Sequence, residues 1–248
     1  MNENYFLTRK SCRNFRPDPI EDKLLQDIVM KAAKAPTCGN MQLYTIIVTK
    51  DAGQKNLLAS CHYNQPAAVT SPVILTICAD FNRFTKWCEI NDADAGYNNF
   101  HSFIMAMTDS IILAQQITTI AENEGLGTCY LGTVTYNADK ISELLKLPDL
   151  VIPVASLAIG FPQEEGEDTL RLSTEAILHN ETYKNFSEEE IEGLYKVHDL
   201  NPENQPFIRE NGKDNLAQVF AEIRYPRDLN EKISSSFLDL LKKKDFLS

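Results

Sequence analysis

The sequence predicts an α+β fold. Short β-branched runs of strand length, such as residues 44–49 and 73–79, occur among segments with the apolar spacing of helices. Strands and helices do not alternate regularly along the chain, which favours α+β over a doubly wound parallel sheet. The 248 residues suit one large domain, or one domain with an additional segment outside it. A content of 43% apolar residues is enough for a hydrophobic core.

The elements of the first half follow from apolar spacing and from the residues that break it. Pro36 ends the first helical pattern, because the residue before a proline avoids the helical region. Residues 81–98 are polar with scattered aromatic residues, and we expect a loop or an irregular helix there. In chain order the predicted elements are a helix over about 19–35, a turn over 37–40, a strand over 44–49, a short helix over 51–58 and a buried strand over 73–79.

The segment from Phe100 to Asn123 predicts a long central helix. Its apolar positions cover far more than one stripe, so several sides of the helix must be buried. Asp109, Gln115 and Gln116 argue against a bilayer span. In a soluble chain this pattern indicates a central helix that a second subunit can share.

Glycine and proline residues mark the ends of the predicted elements in the second half of the chain. Gly125 and Gly127 end the long helix, Pro148 stops a later one, and Gly160 stops the last strand. After the acidic loop at 163–168 the chain becomes polar and weakly patterned. The predicted elements are strands over 128–131 and 151–159, and helices over 138–145, 188–197, 214–223 and from about 230 through 241.

Composition excludes several classes of protein. The chain has 24 Lys and Arg against 35 Asp and Glu, a formal charge of −11, which argues against a nucleic-acid partner. No apolar block of signal-peptide type opens the sequence, so we expect a soluble, cytoplasmic protein without a membrane partner. The six cysteines have no C-x-x-C spacing and the four histidines are scattered, so we expect no metal site.

The stretch from Arg9 to Arg13 goes against this acidic background. It holds Arg9, Lys10, Ser11 and Arg13, which are three cations and a hydroxyl within five residues. Arg offers a rigid fork of donors for phosphate oxygens, and Lys offers a point charge. The stretch therefore predicts a site for a local anion, with a solvated basic face as the alternative.

Common catalytic motifs are missing. The chain has no G-x-G-x-x-G after its first strand, no Walker P-loop and no G-x-S-x-G. Cys61 and His62 are adjacent in sequence, which is not how catalytic Cys–His pairs are usually built. We therefore expect no catalytic side chain.

Four motifs in register resemble those of the FMN-dependent nitroreductase family. Arg9-x-Ser11-x-Arg13-x-Phe15 resembles its R-x-S-x-R-x-F opening, and residues 35–42, APTCGNMQ, look like its A-P-S-x-x-N-x-Q loop. Residues 125–132, GLGTCYLG, are similar to its G-x-G-x-x-x-x-G segment, and residues 160–162, GFP, to its G-x-P. Residues 78–83, CADFNR, resemble the larger, oxygen-insensitive NAD(P)H nitroreductase and flavin reductase branch.

This resemblance implies a flavin site and assigns residues to it. Arg9, Lys10, Ser11 and Arg13 would hold the phosphate and ribityl side of FMN, and Arg171 would complete the phosphate clamp. The remaining contacts would come from Thr37, Asn40, Gln42 and Gln65 at the ribityl chain and ring edge, and from Tyr130, Leu131, Gly132 and Thr133 along the ring. The alternatives are ordinary surface charges, turn and loop residues, and a strand-core role for Tyr130.

Two departures from the branch stand out. The chain has Thr169 where the branch often has a lysine two residues before Arg171, a loss for which Lys10 could compensate. Residues 200–216 contain only Arg209 and Lys213 as cations, so a basic loop for the NADPH 2′-phosphate is not evident. We expect a weak preference for NADPH.

The resemblance also implies an architecture and an activity. The expected fold is a mixed or antiparallel sheet flanked by helices, with the long central helix at a homodimer interface. Residues 1–172 would form the FMN-binding core, and residues 173–248 an extension that packs on the partner subunit. FMN would carry a hydride from NAD(P)H to nitroaromatics, quinones or flavins by ping-pong kinetics. The alternative is a non-enzymatic FMN-binding sensor or interaction protein.

Overall fold

A four-stranded antiparallel sheet forms the centre of the computed structural model, which describes residues 4–247. The strand order is β1-β2-β4-β3, and every neighbouring pair is antiparallel. This confirms the predicted α+β fold with an antiparallel sheet. The strands are β1 (Tyr44–Thr49), β2 (Val73–Asp80), β3 (Gly127–Tyr130) and β4 (Val151–Gly160).

Helices account for most of the remaining regular structure. Short 3₁₀ turns occur at Cys38–Asn40 and Gly132–Thr135, and Val219–Arg224 is a π-helical turn. The α-helices are α1 (Tyr5–Thr8), α2 (Asp22–Ala32), α3 (Ala52–Cys61), α4 (Pro66–Thr70), α5 (Asn82–Ile90), α6 (Phe100–Asn123), α7 (Ala138–Leu144), α8 (Thr174–Ile177), α9 (Glu188–Asp199), α10 (Gln205–Glu210), α11 (Leu216–Gln218) and α12 (Arg227–Lys243).

Helices cover both faces of the sheet. Leu75 and Ile77 of β2 pack with the buried residues of α2 and α6, whereas Ile74 packs on the other face with Leu58 of α3. Every residue of β2 and β4 is buried, which is why these strands read as continuous apolar runs. Each Val, Leu or Ile side chain among them contributes about 1.5–3 kcal/mol when fully buried.

The long helix α6 has the predicted bounds. Asn99 caps it by accepting a hydrogen bond from the backbone N–H of Ser102 at 3.0 Å, and Gly125 follows it with a φ of 84°. Within residues 4–247, α6 is also the one helix long and apolar enough to cross a bilayer by length and composition. Its contacts with all four strands identify it as a core helix.

Residues 4–247 divide into two compact units. The first comprises residues 4–167 together with 235–247 and contains the sheet, and the second comprises residues 168–234. The second unit carries exposed apolar side chains, among them Ile177, Leu178 and Tyr183. The packing of residues 173–248 on a partner subunit stays a prediction.

Two segments differ from the sequence-based expectation. Half of the polar stretch 81–98 is the regular helix α5, because Phe84 packs edge-on against Phe81 and Tyr97. The helix expected over 214–223 is instead the short α11 followed by the π-helical turn. Tertiary contacts such as those of Phe84 override local propensity.

Candidate functional site

The basic N-terminal stretch lies along the edge strand of the sheet. The backbone N–H of Cys12 donates to the carbonyl of Thr128 in β3 at 3.0 Å, and Phe15 pairs with Pro162 just beyond β4. The stretch from Arg9 to Arg13 therefore runs beside the strand that leads into Tyr130. Three of the four family-like motifs, at residues 9–15, 125–132 and 160–162, thus lie next to one another.

Arg9 is held by a buried carboxylate. Its guanidinium lies 3.1 Å from Glu122 of α6, whose side chain is only 9% exposed. Glu122 also accepts hydrogen bonds from the Tyr5 hydroxyl at 2.6 Å and from the Thr128 hydroxyl. Burial and the bond to Glu122 raise the pKa of Tyr5 to about 12. This arrangement neutralises part of the charge of Arg9 and fixes its orientation, and it leaves further N–H groups free to donate.

The neighbouring cations are less constrained. Lys10 lies 3.8 Å from the carboxylate of Glu165, and because this carboxylate is fully exposed to solvent the pair contributes little. Arg13 is exposed and forms no ion pair within residues 4–247. Burial raises the pKa of the Cys129 thiol, and the nearby charges of Arg13 and Arg9 oppose this rise. The two guanidiniums therefore approach the same part of β3.

The acidic loop after β4 closes over this stretch. A Cβ at Gly166 would lie 2.5 Å from the carbonyl oxygen of Ser11, so only glycine permits this approach. Asn14 donates to Glu164 at 2.6 Å. A cavity of about 630 Å³ lies here, lined among others by Arg9 and Lys10. The sequence indicated no role in a site for this acidic loop, yet it forms one wall of the cavity.

The segment after β3 presents its backbone more than its side chains. Leu131 is buried and its N–H donates to the carbonyl of Ser156 at 2.9 Å, whereas Gly132 is exposed. Tyr130 is 37% exposed, and burial of its ring raises the pKa of its hydroxyl. Thr133 lies in the 3₁₀ turn Gly132–Thr135 and is half-buried. A ligand at this segment would meet the backbone around Gly132.

Thr133 is joined to one residue at the end of α3 and to one that immediately precedes α4. The Oγ1 atom of Thr133 lies 3.0 Å from Nδ1 of His62 and 3.4 Å from Nε2 of Gln65. His62 is wholly buried, and this burial lowers its pKa to about 4. The structure thus brings together two predicted site residues, Gln65 and Thr133, through contacts that the sequence did not indicate.

The loop from Thr37 to Gln42 has a strained backbone. Asn40 and Gln42 both have φ angles of 56°, in the left-handed region that residues other than glycine rarely adopt, and Gly39, which adopts it freely, has a φ of 55°. For residues such as Asn40 and Gln42 this conformation costs about 1–3 kcal/mol, and it clusters at ligand sites, where surrounding contacts enforce it. The Oγ1 atom of Thr37 is buried and has no hydrogen-bond partner in the described part of the chain.

Two side chains enforce this loop geometry. The buried carboxylate of Asp109 in α6 accepts hydrogen bonds from the backbone N–H groups of Cys38 at 2.8 Å and Leu43 at 3.3 Å. Arg83 donates to the carbonyl oxygen of Gln42 at 2.6 Å. The loop is therefore tied to α6 and to α5. Among residues 4–247 no hydrogen bond or ion pair joins it to the Arg9–Arg13 stretch or to Thr133.

Arg171 belongs to the second unit. Its guanidinium bends back on its own segment, donating to the Thr169 hydroxyl at 2.5 Å and to the carbonyl of Leu170 at 3.0 Å. Thr169, which stands where the branch often has a lysine, is therefore the local hydrogen-bond partner of Arg171, the arginine predicted to complete the phosphate clamp. The role of Arg171 toward a phosphate stays a prediction.

Three functional candidates escaped the sequence analysis. Asp109 was used only as an argument against a membrane span, and His62 only as a neighbour of Cys61. Glu122 was not singled out. A polar residue within an otherwise apolar helix was the available signal for Asp109. Nothing in the sequence links Glu122 with Arg9 or His62 with Thr133, because these pairs are 113 and 71 residues apart.

The chain is similar to known proteins over most of its length. Residues 7–161 match the model of the nitroreductase family. The FMN reductase [NAD(P)H] of Bacillus subtilis is 31% identical over 233 residues, which cover 90% of this chain and 93% of that protein. The oxygen-insensitive NADPH nitroreductase of Salmonella typhimurium is 28% identical over 179 residues, covering 72% and 73% of the two chains.

Solved structures agree with this match. The crystal structure of a protein from Bacteroides fragilis superimposes with a TM-score of 0.97 at 41% identity, covering 99% of this chain and 100% of that one. The NfrA1 nitroreductase of Bacillus subtilis superimposes with a TM-score of 0.84 at 26% identity and covers 98% of both chains. The fold, the four motifs in register and these likenesses lead to one conclusion: the chain belongs to the nitroreductase family.

Proposed function

We propose that the protein is an FMN-dependent oxidoreductase that transfers a hydride from NAD(P)H to small electron acceptors. The observation that carries this proposal is the placement of the Arg9–Arg13 stretch beside β3, immediately before the backbone around Gly132. A cationic anchor next to a segment of accessible backbone suits a ligand with a phosphate at one end and a flat ring at the other. Family membership supports the same function.

The residues present fit FMN in their donor chemistry. Lys10, Arg13 and the free N–H groups of Arg9 would hold the phosphate, with the hydroxyl of Ser11 nearby in sequence. The Oγ1 atom of Thr37, which is buried and has no hydrogen-bond partner among residues 4–247, marks the loop at 37–42 as a place where a polar ligand would complete the hydrogen bonding. Asn40, Gln42 and Gln65 would offer amide donors and acceptors.

The bound flavin supplies the hydride chemistry, and the chain supplies binding, orientation and electrostatics. Burial raises the pKa of the Cys12, Cys38 and Cys129 thiols, which disfavours the reactive thiolate. These three cysteines are therefore not assigned a redox role. The cations at residues 9–13 would favour an anionic state of a ligand held there. None of the six cysteines is in a disulfide, which suits a reducing, cytoplasmic environment.

Nitroaromatics, quinones and free flavins are the proposed acceptors. A site without catalytic side chains can serve chemically different acceptors, provided that each can replace the oxidised nicotinamide product at the same face. This exchange predicts ping-pong kinetics, with parallel lines in double-reciprocal plots. Intersecting lines, or no turnover with any quinone or nitroarene, would contradict this part of the proposal.

A second copy of the chain would complete the site. The loop at 37–42 shares no bond with the Arg9–Arg13 stretch or with Thr133 among residues 4–247, although all three are assigned to one ligand. Exposed apolar residues on α6 favour a homodimer in which the loop of one subunit meets the phosphate anchor of the other. The exposed apolar residues of the second unit suit packing on that partner.

The first experiment separates the enzyme from a non-enzymatic flavoprotein. The purified protein should be yellow, with flavin absorbance bands and about one FMN per subunit. Under anaerobic conditions NADH or NADPH should bleach these bands rapidly, and a quinone should restore them. Bands that resist both nicotinamides would indicate an FMN-binding sensor or interaction protein instead.

A further inference from the structure

His62 is a buried histidine that the proposed function does not use. Its ring is wholly buried at the end of α3. Nδ1 lies 3.0 Å from Oγ1 of Thr133, and Nε2 has no hydrogen-bond partner within residues 4–247. Most buried polar atoms are paired, so this arrangement requires an explanation.

The position of the single imidazole proton follows from this asymmetry. Burial lowers the pKa of His62 to about 4, so the ring is neutral at neutral pH and carries one proton. A proton on Nε2 would be a buried donor without an acceptor, and orphaned buried N–H groups are rare. A proton on Nδ1 has the Thr133 hydroxyl oxygen as its acceptor. The structure therefore favours the Nδ1–H tautomer, which donates to Thr133.

Thr133 receives a second donor from Gln65. The Nε2 amide of Gln65 lies 3.4 Å from the same Oγ1 atom. A hydroxyl has two lone pairs and one proton, so two incoming donors leave only its proton for a further bond. The described residues offer that proton no acceptor. Thr133 is half-buried and follows the exposed Gly132, so this residue lies at the border of the candidate site.

We propose that His62 and Gln65 fix the Thr133 hydroxyl as a hydrogen-bond donor toward an acceptor atom of the bound flavin. The class of acceptor is a carbonyl oxygen or an unprotonated ring nitrogen. His62 acts as a positioning residue, because it reaches the ligand only through Thr133. This inference rests on the proposed function and adds to it a specific polar contact.

Three substitutions test the arrangement. Thr133→Val removes the hydroxyl with little change in shape. His62→Leu removes the donor at Nδ1, and His62→Asn keeps an amide donor near that position. FMN affinity of the apoprotein is measured by quenching of flavin fluorescence, together with the absorbance spectrum of the bound flavin and the melting temperature. Leu58→Ala, a buried neighbour on α3, is the control for general loss of stability.

The expected pattern is specific. Thr133→Val and His62→Leu should each weaken FMN binding about three- to tenfold, the size of one neutral hydrogen bond, and should shift the flavin spectrum. His62→Asn should bind FMN within about twofold of the wild type. Because both residues act through one bond, adding His62→Leu to Thr133→Val should weaken binding no further.

Other outcomes overturn the inference. If His62→Leu and Thr133→Val melt earlier, as Leu58→Ala does, but keep wild-type FMN affinity and spectrum, His62 is only a structural residue. If His62→Leu weakens binding again in the Thr133→Val background, it acts by another route. A wild-type protein that binds no FMN would refute the proposed function itself, and this inference with it.

Discussion

The buried carboxylate of Asp109 accepts a hydrogen bond from the backbone N–H of Cys38 at 2.8 Å. Its second oxygen accepts from Leu43 at 3.3 Å, so one side chain of α6 holds both ends of the strained loop. Between these points Asn40 and Gln42 keep φ angles of 56°. Two bonds from a buried anion offset part of the cost of that strain. The central helix thus sets the shape of a predicted ligand loop.

Asp109→Asn should damage both stability and flavin binding. An amide in place of the carboxylate keeps the volume but cannot accept from both backbone N–H groups. We expect a loss of about 1–3 kcal/mol in the free energy of unfolding, measured by urea denaturation. FMN affinity should fall as well, because the loop can relax from its left-handed conformation.

The adjacent residue provides a matched control. Ser110 is also buried on α6, but its hydroxyl donates to the carbonyl of Cys78 in β2, away from the loop. Ser110→Ala should lower stability and leave FMN affinity unchanged. Equal losses of FMN affinity in Asp109→Asn and Ser110→Ala would show that the loop is not what Asp109 controls.

Removal of the basic anchor should release the flavin. Substituting Arg9 and Arg13 by Ala removes charge-assisted bonds worth about 1.5–3 kcal/mol each, so FMN affinity should fall more than tenfold. Arg9→Ala also leaves the buried Glu122 without its cation, so Arg13→Ala is the cleaner single variant. Arg16→Ala removes a cation that pairs with the exposed Asp18 and lies over the Phe161 ring, and this variant should bind FMN normally. A double variant that purifies with full flavin would contradict the assignment.

Much of the fold was predictable because its core segments are strongly patterned. The bounds of α6 and β1 match the prediction, since a long apolar helix and a β-branched run leave little choice. The short helix α4, which opens with Pro66, was missed. Five residues give too little periodicity, and the signal there is a proline at the first helical position rather than a pattern.

The candidate site was predictable in its motifs but not in its supporting contacts. The placement of Cys12 beside Thr128 depends on sheet topology, which local sequence does not state. The same holds for the contact of Arg9 with Glu122 and for the contact of His62 with Thr133. Each joins residues on separate elements. Only the folded chain shows that Glu122 lies against Arg9 and that His62 lies against the Thr133 hydroxyl.

The buried His62 should make the protein sensitive to mild acid. Its pKa is about 4 in the folded state and 6.5 in the reference state, so between these values the unfolded chain binds a proton that the folded chain does not. Its contribution is therefore present above pH 6.5 and is lost as the pH falls toward 4, by about 3 kcal/mol in total.

Urea denaturation at pH 7 and at pH 4.5 measures this effect. The free energy of unfolding should fall less over this range in His62→Asn than in the wild type, because Asn has no such proton to bind. His101 is exposed on α6, so His101→Gln should follow the wild type. Parallel pH dependence of the wild type and His62→Asn would show that His62 does not cause the effect.

The preference for NADPH over NADH should be weak. Within residues 200–216 the cations are Arg209 and Lys213, and Lys213 is already paired with Glu222 at 2.6 Å. A 2′-phosphate would therefore meet little free positive charge there. We expect the ratio of kcat/KM values for the two coenzymes to stay below a hundredfold, which corresponds to about 2.7 kcal/mol. A larger ratio would reveal a cationic pocket elsewhere in the chain.

The exposed face of α6 should bind a second copy of the chain. Phe100, Ile111 and Ile112 are 48%, 42% and 37% exposed on a helix whose other faces are buried. Covering them in a two-fold interface removes an apolar patch from water, since a self-complementary surface closes in pairs. The wild type should therefore sediment as a dimer at low micromolar concentration.

Charges on that face should separate the subunits. Replacing Ile111 and Ile112 together by Asp would bury two unpaired carboxylates of each subunit in the interface. Their desolvation costs more free energy than the association of the subunits can offset. We expect a monomer in sedimentation velocity, and loss of FMN with it if the loop at 37–42 acts on the flavin of the partner. Met30→Glu alters an apolar residue of α2 that is 63% exposed, and should remain dimeric. A folded monomer that keeps its FMN would refute the shared site, and a variant that stays dimeric would place the interface elsewhere.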